Sequence, residues 1–125
     1  MTAKEFAAML NGHEYGLEVS KAESDLAKEN GLVIVYGYSD DNMEFEGALE
    51  EEVGCFGGGA AFVTKSHVYQ EAEDLPFDAK LIRAHWCAHK EAAWTYETEI
   101  PHEEFRIYED GELFCVGIVF SVDDI

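Results

Sequence analysis

The chain has 125 residues and a mass of 14.0 kDa, the size of one domain spanning 1–125. Apolar residues make up 47% and aromatics 13%, enough to build a core, so disorder is excluded as the reading. Twenty-seven Asp and Glu against eight Lys and Arg give a formal charge of −19, which argues against direct binding to nucleic acid or to an anionic membrane, since both require a basic surface.

No apolar run approaches the roughly 18 residues of a membrane-spanning helix. The segment Met1 to Leu10 carries Lys4 and Glu5 inside an amphipathic pattern, so it does not read as a secretion signal. Cys55, Cys87 and Cys115 are odd in number and widely spaced, as expected of reduced thiols in a cytoplasm.

In chain order, Thr2 and Glu5 form a capping box that opens a helix, with Phe6, Met9 and Leu10 on one face and Asn11-Gly12 as its stop. A second capping box, Ser20 to Glu23, opens another helix. Ala22 and Leu26 lie one above the other there, and Asn30-Gly31 closes it. Leu32 to Tyr38 is apolar on both faces and predicts a central strand. Ser39 to Asn42 has turn chemistry, and Met43 to Glu46 alternates as a strand does. Gly54 to Gly59, with four glycines, predicts a loop, Ala60 to Thr64 a short strand, and residues 66–79 an irregular acidic stretch around Pro76.

Lys80 to Cys87 and Ala92 to Ile100 predict two further strands. The second puts Trp94, Tyr96, Thr98 and Ile100 on one face. Beyond Pro101, Phe105 to Tyr108 and Leu113 to Ser121 flank Asp110-Gly111, a tight-hairpin signal. The last strand is apolar on both faces and belongs beside another central strand. The expected fold class is α+β: an antiparallel sheet with two short N-terminal helices packed on it.

The acids are clustered. Asp40, Asp41, Glu44, Glu46, Glu50, Glu51 and Glu52 place seven carboxylates in thirteen residues without a base. A second run from Glu97 to Glu112 holds seven more, including Glu97, Glu99, Glu103 and Glu104, against Arg106 alone. Alternate residues on a strand project from one face about 6.7 Å apart. Glu44 with Glu46, and Glu97 with Glu99, would thus carry charge at a spacing similar to successive phosphates. A surface of this kind is expected to fill the basic groove of a nucleic-acid-binding protein. The plainer explanation is solubility, because acidic surfaces are common on soluble proteins.

Other chemistries are less well supplied. His85, Cys87 and His89 would share one face of a continuous strand, and zinc accepts such ligands, with Cys55, His67, His102 or Cys115 available to complete a tetrahedron. The same alternation also describes one face of a buried strand, and Ala88 to Ala92 looks more like a turn. Asp40, Asn42, Glu44 and Glu51 echo a calcium loop, but Phe45 stands where glycine is required. The glycine run at 54–59 lacks the ending of a phosphate loop and the spacing of a dinucleotide fingerprint. No Gly-x-Ser-x-Gly elbow occurs. Cys87 with His102 is a pair that any small protein with three Cys and five His offers. The reading is therefore a non-enzymatic protein without a cofactor.

The segments Gly37 to Ala48, Glu52 to Cys55, Trp94 to His102 and the Tyr108 to Phe120 hairpin resemble a family of small acidic proteins encoded by phages and prophages of Gram-positive and gut bacteria. So does the short opening helix followed by Asn11 to Tyr15. The family is an uncharacterised one and supplies no catalytic or binding residues. The resemblance implies a context in which small acidic proteins act against host defence, anti-CRISPR proteins among them. The expected partner is the basic groove of a host nucleic-acid-binding protein, such as a CRISPR effector, in the host cytoplasm. Alternatives are a metal-binding protein or hydrolase centred on His85, Cys87 and His89, and a phage structural or assembly subunit. Strand order and oligomeric state stay open.

Overall fold

A computed structural model describes residues 1–12, 21–38, 46–48, 56–57, 60–62, 79–87 and 93–125. Within them the fold is α+β. Helix α1 (Ala3–Asn11) and helix α2 (Lys21–Glu29) precede the strands β1 (Leu32–Tyr38), β2 (Glu46–Ala48), β3 (Phe56–Gly57), β4 (Ala60–Phe62), β5 (Arg83–Cys87), β6 (Ala93–Glu97), β7 (Glu103–Glu109) and β8 (Glu112–Ser121).

Helix α1 begins as its capping box dictates. The Thr2 hydroxyl accepts from the Glu5 amide at 3.1 Å, and the Glu5 carboxylate accepts from the Thr2 amide at 3.0 Å. Phe6, Ala7 and Leu10 then turn inward and are buried. Burying Phe6 and Leu10 contributes about 1.5–3 kcal/mol each, which anchors a helix too short to hold itself in water. Helix α2 ends on Asn30-Gly31. Gly31 takes a left-handed φ of 66°, and the Asn30 side chain donates to the Leu26 carbonyl at 2.8 Å. Ala27 of α2 is fully buried, and the partly buried Leu26 packs against the same core. Ser20, the expected cap, lies outside the described residues, as does the expected turn at 39–42.

The strands form two sheets rather than the one expected. A five-stranded sheet runs β3-β4-β1-β8-β7, and a three-stranded sheet runs β2-β5-β6. All pairs are antiparallel except β1 with β4, which is parallel. β1 occupies the bounds its apolar run predicts, it sits between β4 and β8 so that both of its edges are paired, and Val33 and Val35 on one face are buried as fully as Ile34 and Tyr36 on the other. The β7–β8 hairpin turns on Asp110 (φ 50°) and Gly111 (φ 80°), both left-handed as a two-residue turn of this hand requires.

One face of the large sheet carries the helices. Leu32, Ile34, Tyr36, Phe105, Ile107, Cys115 and Val119 pack there with Phe6, Ala7, Leu10 and Ala27. The alternate residues Val33, Val35, Val116, Ile118 and Phe120 are also buried, and β6 lies against β8 on that side. The Tyr96 hydroxyl joins the two sheets by donating to the Val116 carbonyl at 2.9 Å.

Two expected strands are shorter than read. Ala79–Leu81 is a turn of 3-10 helix, so β5 starts at Arg83 instead of Lys80. β6 stops at Glu97, where Thr98 accepts from the Ile100 amide at 3.2 Å and the Ile100 carbonyl accepts from Nδ1 of His102 at 2.7 Å. Side chains that bond their own backbone two residues away end a strand locally. Inward alternation nevertheless continues past the end, because Ile100 is buried while Glu97 and Glu99 are exposed.

Candidate acidic interaction surface

The first acidic cluster reaches the described fold at one residue. Glu46 opens β2, an outer strand of the small sheet, in register with His85 of β5. Asp40, Asp41, Glu44, Glu50, Glu51 and Glu52 lie outside the described residues, on either side of β2.

The four acids named from the second cluster all lie among the described residues. Glu97, Glu99, Glu103 and Glu104 are all exposed, but they do not share one face. Glu97 ends β6 with Arg83 of β5 directly opposite, at the separation where a base and an acid interact favourably. Glu99 follows β6, in the bend before Pro101, so no ladder fixes its distance from Glu97. Glu103 stands in register with Val119 on the helix-bearing face, whereas Glu104 stands in register with Ile118 on the other. Successive strand residues must diverge in this way.

Glu104 is further engaged by a base. Its carboxylate accepts from Nε of Arg106 at 2.8 Å. That bond, with a smaller contribution from Tyr108, raises Arg106 above the ordinary guanidinium value. Both side chains are about half exposed, at 42% and 53%, so the pair adds little to stability, although it removes Glu104 from the set of unopposed carboxylates. Counting along the chain finds Arg106 but not its bond to Glu104, and it misses Arg83 opposite Glu97 altogether. The place of Arg83 follows from strand register, and the two-residue period is the one signal that would have found the Arg106 bond.

The metal-site alternative is described only in part. His85 and Cys87 lie in β5 as expected, the strand ends at Cys87, and His89 is outside the described residues. Among the described residues no group of three His, Cys, Asp or Glu could hold a metal ion. Cys115 is buried in the core on the helix-bearing face. No helix among the described residues is long and apolar enough to cross a membrane. Among the described residues near these elements, Tyr96 is strongly shifted. Desolvation pushes its phenol well above the usual tyrosine value, with Cys115 and Glu104 adding to the effect.

No protein-family model, curated protein or solved structure matches this chain. No relative therefore lends it residues or an activity.

Proposed function

We propose that this protein is a non-enzymatic, phage- or prophage-type inhibitor. Its carboxylates enter the basic groove of a host nucleic-acid-binding protein, in the manner of an anti-CRISPR protein, in the host cytoplasm. The observation that carries the proposal is the run of seven acids without a base between Asp40 and Glu52, with Glu46 inside it in an outer strand of a sheet. Among the described residues β2 has a ladder neighbour on one side only, β5, whose Arg83 stands in register with Ala48. The 97–104 group plays the lesser part, because Arg83 stands opposite Glu97, Arg106 holds Glu104, and Glu103 faces away from Glu104.

The test is displacement. Purified protein is added to complexes of DNA or RNA with a panel of basic-grooved proteins that includes a CRISPR effector. Release of nucleic acid should fall steeply with salt. It should disappear when Asp40, Asp41, Glu44, Glu46, Glu50, Glu51 and Glu52 are replaced by their amides and circular dichroism is unchanged. Equal displacement by the neutralised variant would refute the reading.

A further inference from the structure

Among the described residues, β7 is the last strand of the five-stranded sheet. In an antiparallel edge strand every second residue turns its amide and carbonyl away from the sheet. Arg106 is such a residue, since its amide donates outside the sheet, to Oδ1 of Asn11 at 2.7 Å. Asn11 ends α1, 95 residues away in sequence. A helix-terminal Asn commonly serves its own helix. This one gives its carbonyl oxygen to a strand instead.

A side-chain carboxamide has the same donor and acceptor groups as a peptide unit. At Arg106 it supplies the acceptor that a neighbouring strand would supply. The contact is exposed, and water would replace it at small cost. Its effect is therefore one of occupancy more than of stability. Edges of seven residues are where sheets pair with one another, and folded proteins block them by specific means. The exposed Glu103 opposes self-pairing by charge, but charge is screened by salt, whereas a seated side chain is not.

We propose that Asn11 is a guard on this edge, and that it keeps β7 from pairing with the β7 of a second copy of the chain. The test is analytical ultracentrifugation over a concentration series at about 1 M salt, where the screening length is about 3 Å and repulsion no longer masks pairing. The wild-type chain should sediment as a monomer. Asn11→Ala should double in mass with rising concentration, at least tenfold more readily than wild type, with unchanged circular dichroism. Asn11→Asp, which keeps the acceptor oxygen, should remain a monomer. Adding Arg106→Pro to Asn11→Ala removes the outward amide, which an edge strand tolerates, and should restore the monomer. A monomeric Asn11→Ala overturns the proposal. So does a wild-type dimer that Arg106→Pro dissociates, and so does association of Asn11→Ala that Arg106→Pro leaves intact.

Discussion

The ring of Phe105 occupies the space where a side chain on Gly117 would stand. The two residues are cross-strand partners in β7 and β8. A Cβ built on Gly117 would come within 2.6 Å of Cε1 of Phe105, closer still to Cζ, and within 2.5 Å of the Val35 carbonyl oxygen. Phe105 is fully buried, so the ring has nowhere to retreat. Gly117→Ala should destabilise the fold by about 1–3 kcal/mol or more, the range of overpacked cores. Adding Phe105→Leu should recover part of the loss only, because the Val35 carbonyl is backbone and stays in place. Denaturant titration of the four proteins in the cycle checks this, and a fully stable Gly117→Ala would contradict it.

Tyr96 should govern the alkaline limit of stability. Burial favours its neutral phenol, so its folded pKa lies above its unfolded one. The stabilisation is then complete below the unfolded value of about 10 and is lost as pH rises through the folded value. Tyr96→Phe should remove the bond to Val116, at a cost of about 0.5–1.5 kcal/mol near neutrality. It should also flatten the loss of melting temperature above about pH 10. Phenolate absorbance during an alkaline titration should show one tyrosine fewer titrating late.

Glu5 acts at the opposite limit. The Thr2 amide and hydroxyl both donate to it and hold its carboxyl below the ordinary value. A depressed folded pKa stabilises above the unfolded value, and the benefit disappears as pH falls through the folded one. Glu5→Gln should therefore lower the melting temperature near neutrality and narrow its gap to wild type in acid. A melting series from about pH 5 to about pH 1 measures the difference, which should vanish at the acid end.

The two acidic runs should differ in effect on a partner. Amide replacement of Glu97, Glu99, Glu103 and Glu104 should weaken displacement of nucleic acid much less than replacement of the 40–52 set. It should also lower the salt dependence less. Glu104→Gln alone should change stability by less than about 1 kcal/mol, as half-exposed ion pairs do. Equal loss from both sets would show that the 97–104 carboxylates act together despite facing apart.

What the sequence discloses here is whatever is local or periodic. The Thr2–Glu5 box spans four residues, Asp110-Gly111 two, and Leu32–Tyr38 is a continuous apolar run; all three lie where they are expected. The 3-10 turn at Ala79–Leu81 was hidden, because Lys80 to Cys87 can be read as one strand until Ile82 is seen buried ahead of it. Division into two sheets was hidden as well, since it depends on which strands meet. Within the acidic region the divergence of Glu103 from Glu104 follows from strand period alone, whereas Arg83 opposite Glu97 needs register. Asn11 at Arg106 joins positions that no local pattern connects.

The pairing of β1 with β8, Leu32 against Ser121 through Tyr38 against Cys115, has a consequence during synthesis. The apolar faces of α1 and β1 are synthesised well before β8, the strand that packs with them. Contacts this distant along the chain form slowly. A nascent chain halted before residue 103 holds Phe6, Leu10, Ile34 and Tyr36 without their cover, in the state that chaperones recognise and that aggregates when they are absent. The core of this fold therefore closes only once the β7–β8 hairpin has been made and has joined β1 and the first helix.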